Sequence, residues 1–258
     1  MDKSEDRNRD MKKFFDEKLK TNNYQRVAGL DGKKIFASKL EGIFFEFPKT
    51  LLGRSIIDKS AAEYGCTYSH LKALQTFVTD KSNSDDLAII CEDDIDIFDG
   101  VTQSYVLQYI QQTPKNWEIL KIQLTNPGHI KHACIFPWKI GFFGTCAYII
   151  KRSVAQSFVD KFFINNRVKF PPLHGPADWF IYNNAITYCC FPGIFYQKPS
   201  VKSTIHKKND NGDAVSKKWY PPALHIQQEI WKKINRRPPR RRHNVRRKIN
   251  KRFLPILY

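Results

Sequence analysis

Apolar residues recur at helical spacing in some stretches of the chain and as unbroken runs in others, and the two kinds of stretch alternate. After Ser4, the residues Met11, Phe14, Phe15 and Leu19 share one helical face, and this helix ends near Thr21, Asn22 and Asn23. A short segment from Tyr24 to Ala28 then runs into the turn signal Leu30, Asp31, Gly32. A second helix is predicted from Ser60 to Thr79, with Leu71, Leu74 and Val78 on one stripe and Ala73 with Phe77 beside it. Leu87 to Cys91 is continuously apolar, as a strand covered on both faces should be, and it stops abruptly at Glu92, Asp93, Asp94. Val101 to Gln112 is helical by period and closes at Pro114. Buried strands follow at Trp117 to Leu124 and at Thr145 to Ile150. A helix capped by Ser153 then carries Val154, Phe158 and Phe162, and Pro176 opens another through Trp179 and Tyr182. Strands alternating with helices predict an α/β/α sandwich on a mostly parallel sheet.

Past Ile205 the pattern fades into a polar loop from His206 to Asp213. Beyond Pro221 and Pro222 a short helix is expected around Ile226 to Ile234, and Arg236 to Arg247 is too charged and too rich in Pro to fold alone. The expected organisation is one folded domain over residues 1–222 and a basic, largely disordered tail over 223–258. A length of 258 residues suits one large domain with an appendage, at roughly 150 residues per domain. Apolar residues at 41% with aromatics at 14% supply a substantial core.

The net charge of +18 suggests nucleic acid until it is mapped. Lys232 to Arg252 holds twelve Lys or Arg and no acid, two thirds of the whole imbalance, so the body is only mildly basic. A nucleic-acid enzyme fits the charge but has no matching binding motif. The six cysteines form no C-x-x-C pair and no dense framework, so buried free thiols are expected. No apolar run approaches the ~20 residues of a membrane helix, and the opening Asp2 to Arg7 is no signal peptide, so the expectation is a cytoplasmic compartment.

The sharpest chemical feature is the run Glu92, Asp93, Asp94, Asp96 at the carboxyl end of the most apolar strand, where open α/β sheets bind ligands. Clustered carboxylates repel one another unless a cation or water offsets the charge. Mg²⁺ or Mn²⁺ takes oxygen ligands and bridges to a diphosphate, which suits a nucleotide-sugar donor. A solvated acidic turn capping the next helix reads equally well from spacing alone. In Gly65, Cys66, Thr67, Tyr68, Ser69, His70, a hydroxyl and an imidazole can meet a ligand, although a satisfied structural hydrogen bond is the commoner fate of such a His. Asp178 sits in a helix's first turn, where the dipole keeps it ionised and fit to serve as a general base or simply as a cap.

In order along the chain, these pieces resemble glycosyltransferase family 25, which holds bacterial lipooligosaccharide galactosyltransferases and animal procollagen galactosyltransferases. The resemblance runs through Lys3 to Arg7 with Met11, then Arg26, Val27, Ala28 and Leu30, Asp31, Gly32. It continues with Gly65, Cys66, Ser69, His70, with Ile90, Glu92, Asp93, Asp94, with Gly144, Thr145, Ala147, Tyr148, and with Pro176, Asp178. It implies a GT-A fold, a UDP-sugar donor carrying galactose or glucose, and metal-dependent, inverting transfer of that hexose to an acceptor hydroxyl on a glycan or protein. On that mapping Glu92 and Asp94 are metal carboxylates, with Asp96 as an alternative D-x-D partner, and Asp178 is the base. Asp31, Ser69, His70 and Asp93 are then donor contacts. One departure matters: family members open with a buried strand ending in Asn-Leu, and here Met1 and Asp2 stand where it should finish, so the sheet is expected to lack its first strand. A competing expectation is an inactive, transferase-like protein that grips polyanions, either nucleic acid or an anionic membrane surface, through residues 232–252.

Overall fold

A computed structural model describes residues 5–31, 50–51, 54–55, 60–82, 84–126, 130–165, 167–169, 176–199, 211–236 and 254–257. The first element is helix α1 (Glu5–Lys13), which continues as π-helical turns over Phe14–Leu19. Short strands β1 (Gln25–Arg26), β2 (Thr50–Leu51) and β3 (Arg54–Ser55) precede the long helix α2 (Ser60–Thr79). Next come β4 (Leu87–Cys91), β5 (Ile95–Ile97), α3 (Gln103–Gln112), β6 (Ile119–Lys121), β7 (Cys134–Pro137) and β8 (Ala147–Lys151). The chain continues through α4 (Arg152–Phe162), β9 (Phe163–Ile164), β10 (Arg167–Val168), α5 (Ala177–Asn183), β11 (Thr187–Phe191) and β12 (Phe195–Gln197). It closes with α6 (Asn211–Arg236) and β13 (Leu254–Leu257). Gly32, Gly175 and residues 237–253 lie outside the described residues.

Seven strands form the central sheet in the order β1-β13-β4-β8-β6-β11-β7. The sheet is mixed, not mostly parallel: β8 runs antiparallel to both β4 and β6, and β7 runs antiparallel to β11. The cause lies in the connection. Parallel neighbours need a crossover of a dozen or more residues, usually a helix. Between β6 and β8 the described residues contain only β7 and loop, and Glu92 N–H donates to Cys146 O at 2.9 Å, so β8 starts at the edge where β4 ends and must run back.

Alternation along β4 divides the core. Leu87, Ile89 and Cys91 point to one face, where they pack with Met11 of α1, Phe14 and Phe15 of its π-helical continuation, Val106 and Tyr109 of α3, and Leu224 and Trp231 of α6. Ala88 and Ile90 point to the other, against Leu71, Leu74 and Phe77 of α2, Val154, Phe158 and Phe162 of α4, and Phe180 and Ile181 of α5. Helices therefore cover both faces, as the sequence pattern predicts. At roughly 1.5–3 kcal/mol per fully buried large apolar side chain, these two clusters hold the helices against the two faces of the sheet. Ser153 is not the cap of α4. The helix begins one residue earlier, and Lys151 stands at its N-cap with no side-chain bond.

Two further expectations change. The folded body does not stop at residue 222, because α6 runs to Arg236 with Trp231 only 2% exposed. Trp231 Nε1 donates to Gly193 O at 2.7 Å, and Gln227 accepts from Gly193 N–H at 2.8 Å while donating to Leu124 O at 3.0 Å. Tyr220, Leu224, Gln227 and Trp231 recur at steps of four, three and four, the signature of one buried helical face. The sheet also has no bare first-strand position, since β13 lies between β1 and β4, parallel to both. All six cysteines are free, but Cys134 on the edge strand β7 is exposed and Cys66 is only half-buried. Among the described residues, no helix is long and apolar enough to cross a membrane.

Candidate functional site

The carboxyl end of β4 delivers Glu92, Asp93 and Asp94 to one edge of the sheet, and each meets a different environment. Glu92 Oε1 accepts the Thr145 hydroxyl at 2.8 Å and lies 3.7 Å from His70 Nε2. Burial pushes the Glu92 carboxyl up, but His70, Thr145 and the charge of Lys121 outweigh it and hold the group below its ordinary value. Asp93 forms an ion pair with Arg7 at 3.0 Å, and burial still raises its pKa despite that guanidinium. Asp94 is 6% exposed; its Oδ2 accepts from Gln197 Nε2 at 2.7 Å, while its Oδ1 has no hydrogen-bond partner among the described residues. Burial, with Glu92 and Asp93 alongside, pushes Asp94 up to about 7.

A buried carboxylate oxygen without a donor costs free energy that a bound cation recovers. Ligand atoms of Glu92, Asp94 and Cys146 lie within 4.8 Å of one another, as do those of Cys66, His70 and Glu92. The first group contributes one hard carboxylate oxygen each from Glu92 and Asp94 beside the Cys146 thiol, so with Asp94 Oδ1 unpartnered among the described residues the two carboxylates fit a divalent ion whose remaining ligands are phosphate oxygens and water. Asp96 is not brought to this group. It stands on β5, where Lys18 Nζ reaches its two oxygens at 2.6 and 2.7 Å and Ile97 N–H donates to Oδ1 at 2.7 Å.

Ser69 and His70 are both essentially without solvent exposure, because α2 turns them toward the sheet. The Ser69 hydroxyl donates to Gly65 O at 2.7 Å and accepts from Leu30 N–H at 2.9 Å, which fixes the segment that carries the half-buried Asp31. His70 Nδ1 lies 3.1 Å from the Tyr148 hydroxyl. Burial lowers the pKa of His70, so its ring is neutral near neutral pH: Nδ1 accepts from Tyr148, and Nε2–H faces Glu92.

Asp178, on α5, is 6% exposed and accepts two backbone N–H groups, from Gly144 on Oδ2 at 2.9 Å and from Trp179 on Oδ1 at 3.0 Å. Gly144 has φ +90°, and a Cβ there would stand 2.9 Å from Thr125 Oγ1, so the backbone can approach Asp178 only as glycine. Exposed Phe143 and Trp179 flank this carboxylate. Beyond Tyr182, whose hydroxyl donates to Gly144 O at 3.3 Å, opens a cleft of about 540 Å³ lined by Trp138, Lys139, Ile140, Tyr182 and Asn183.

Lys121 is a member of this site that the strand pattern conceals. It is fully buried, its Nζ donates to the carbonyls of Phe143 and Gly144, and its ammonium stands 5.0 Å from the Tyr182 ring centroid. Burial lowers its pKa, while the charges of Glu92 and Asp178 favour the ammonium. A lone Lys inside the apolar run from Trp117 to Leu124 was the available signal. Arg7, Thr145 and Gln197 complete the shell around the acids, and of these only Gln197 lies outside the motifs singled out in the sequence.

The family model described as glycosyltransferase family 25 (LPS biosynthesis protein) matches residues 1–169. No curated protein matches the chain.

Proposed function

The chain belongs to glycosyltransferase family 25, and from that membership we propose that it moves a hexose, galactose or glucose, from a UDP-sugar to an acceptor hydroxyl on a glycan or protein, within a GT-A type fold and with inversion. The observation that carries the metal-dependent part of this reading is the buried Glu92–Asp94 pair with its orphaned Asp94 Oδ1. Glu92 and Asp94 would hold Mn²⁺ or Mg²⁺. Such an ion, when bound, would supply positive charge for the departing diphosphate.

The remaining work falls to the chain's own groups. Thr145 and neutral His70 keep Glu92 ionised and oriented, and Gln197 fixes one oxygen of Asp94 so that the other faces the donor. Arg7 holds Asp93 beside them, and Ser69 acts through Leu30 to set Asp31 for the nucleoside end of the donor. Inversion needs a base on the acceptor side to take the hydroxyl proton. Asp178 is that base, aimed by its two N–H donors, with Phe143 and Trp179 offering apolar faces to the acceptor ring.

The test is a panel of nucleotide sugars incubated with Mn²⁺, with released nucleotide as the readout. UDP release that depends on Mn²⁺ and disappears in Asp94→Ala supports the assignment; full metal-dependent turnover by Asp94→Ala refutes it. The polyanion-binding reading rests on the twelve basic residues of 232–252. It predicts salt-sensitive heparin, RNA or anionic-vesicle binding that falls when residues 237–252 are replaced by a neutral linker, and no nucleotide release.

A further inference from the structure

Residues four apart on a helix project from one face, one above the other, so two metal ligands at that spacing converge on a single point. Cys66 and His70 stand at that spacing on α2, and Glu92, at the end of β4, meets them there. Ligand atoms of the three side chains lie within 4.8 Å of one another, with His70 Nε2 and Glu92 Oε1 3.7 Å apart. Zinc bonds sulfur at about 2.3 Å and nitrogen or oxygen at about 2.0–2.2 Å, which holds tetrahedral ligands about 3.4–3.6 Å from one another. The imidazole and the carboxylate are nearly at that spacing already, and a movement of about 1 Å by the thiol closes the rest.

The surroundings suit a metal as well. A metal-bound histidine donates its other ring N–H to an oxygen that fixes the ring, and the Tyr148 hydroxyl oxygen lies 3.1 Å from His70 Nδ1. Solvent reaches the group from one side: Cys66 is half-buried and Glu92 keeps 21% of its side chain exposed, while fully buried His70 faces them. The donors also differ in kind from the neighbouring carboxylates. Glu92 and Asp94 offer hard oxygens to an ion that prefers phosphate and water, whereas thiolate, imidazole and one carboxylate select a borderline-soft ion.

We propose that Cys66, His70 and Glu92 form a zinc site, distinct in donor chemistry from the Glu92–Asp94 pair and linked to it through the shared Glu92 carboxylate. Binding converts the Cys66 thiol to a thiolate, whose proton leaves to solvent, and the imidazole proton moves from Nε2 to Nδ1, where Tyr148 accepts it. Three protein ligands leave the fourth position to water. Zinc seated there draws Glu92 toward His70 and away from Asp94. On the reading of Glu92 and Asp94 as the metal carboxylates of sugar transfer, zinc is then an inhibitor that removes one of the two.

Cobalt reports the site independently of turnover, because a thiolate ligand gives a near-ultraviolet charge-transfer band and a tetrahedral ion gives intense visible bands. The full chain titrated with Co²⁺ should show both, and zinc should displace them. Cys66→Ser should lose the charge-transfer band and weaken zinc at least about 10-fold, the scale on which even an outer partner acts. Asp94→Asn and Cys146→Ser alter only the neighbouring group and should keep the band. Absence of the band, its survival in Cys66→Ser, or its loss in Asp94→Asn or Cys146→Ser overturns the site. In calorimetry, prior loading with zinc should weaken uptake of Mn²⁺ with UDP at least about 10-fold in the wild type and not in Cys66→Ser; equal effects in both overturn the sharing of Glu92. A chain that takes up no Mn²⁺ with UDP refutes the metal-dependent transfer alone, since the cobalt spectra decide the zinc site without it.

Discussion

Asp94→Asn should make the metal-free protein more stable while abolishing its response to Mn²⁺. One oxygen of the Asp94 carboxyl has no donor among the described residues, and burial, then the charges of Glu92 and Asp93, raise its pKa to about 7 from an ordinary 3.8. A carboxyl with a raised folded-state pKa binds more protons folded than unfolded between those two values, so stability is lost as pH climbs through that window and reaches its lower plateau above pH 7. A shift of about three units corresponds to about 4 kcal/mol at the plateau as an upper bound, of which about 2–3 kcal/mol accrues between pH 5 and pH 8. Asparagine keeps an acceptor for Gln197 Nε2 and removes the charge. Urea melts of both proteins in chelator at pH 5, 6.5 and 8 should therefore show a stability difference that grows with pH in favour of the variant. Adding Mn²⁺ with UDP at a hundred times its Kd should narrow that difference by about 2.7 kcal/mol, because only the wild type binds it. A pH-independent difference, or a variant less stable than wild type at pH 8, would refute the argument that Asp94 is an uncompensated charge awaiting a cation.

Trp231→Ala should lose about 3–5 kcal/mol in chemical denaturation, since it empties a site that is 2% exposed and frees Gly193 O; a loss under 1 kcal/mol would mean that α6 is not part of the body. Lys121→Met is nearly isosteric but takes the ammonium donor from the Phe143 carbonyl and leaves the Gly144 carbonyl only the Tyr182 hydroxyl, so it should cost about 1–3 kcal/mol and lower kcat by displacing the loop that aims Asp178, both readable from melts and steady-state rates. Gly144→Ala is strained at φ +90° and meets Thr125 Oγ1, so nucleotide release should fall with it while far-UV circular dichroism is kept. Arg7→Ala should raise the Asp93 pKa further and weaken binding of Mn²⁺ with UDP most at acidic pH, a trend calorimetry at pH 6 and pH 8 would reveal.

The helices and central strands were legible because each buries a face with a clear period. Leu71, Leu74 and Phe77 on α2, and Val154, Phe158 and Phe162 on α4, are the residues of the observed core. Strand direction was not legible in the same way, because apolar runs look alike whichever way they pair. The usable clue was negative: no helical period stands between Leu124 and Thr145 to carry a parallel crossover. The end of the body was misjudged at residue 222 because Pro221 and Pro222 read as a stop, whereas α6 passes through both and its apolar face lies mostly beyond them.

The acids at the end of β4 could be identified from sequence as a group, but not separated by role, because spacing does not reveal which carboxylate a cation already satisfies. Arg7 and Lys18 are remote in sequence, yet they pair with Asp93 and Asp96, Thr145 and His70 attend Glu92, and the acid left with an unpartnered oxygen is Asp94. The same separation applies to Ser69 and His70, whose motif was visible but whose hydroxyl and imidazole are spent on Leu30 and Tyr148 inside the protein. Their influence on a ligand therefore passes through Asp31 and Glu92. The two segments carrying those acids meet across β13, more than 160 residues beyond Glu92 in the sequence, and no local pattern around either acid could have announced that strand.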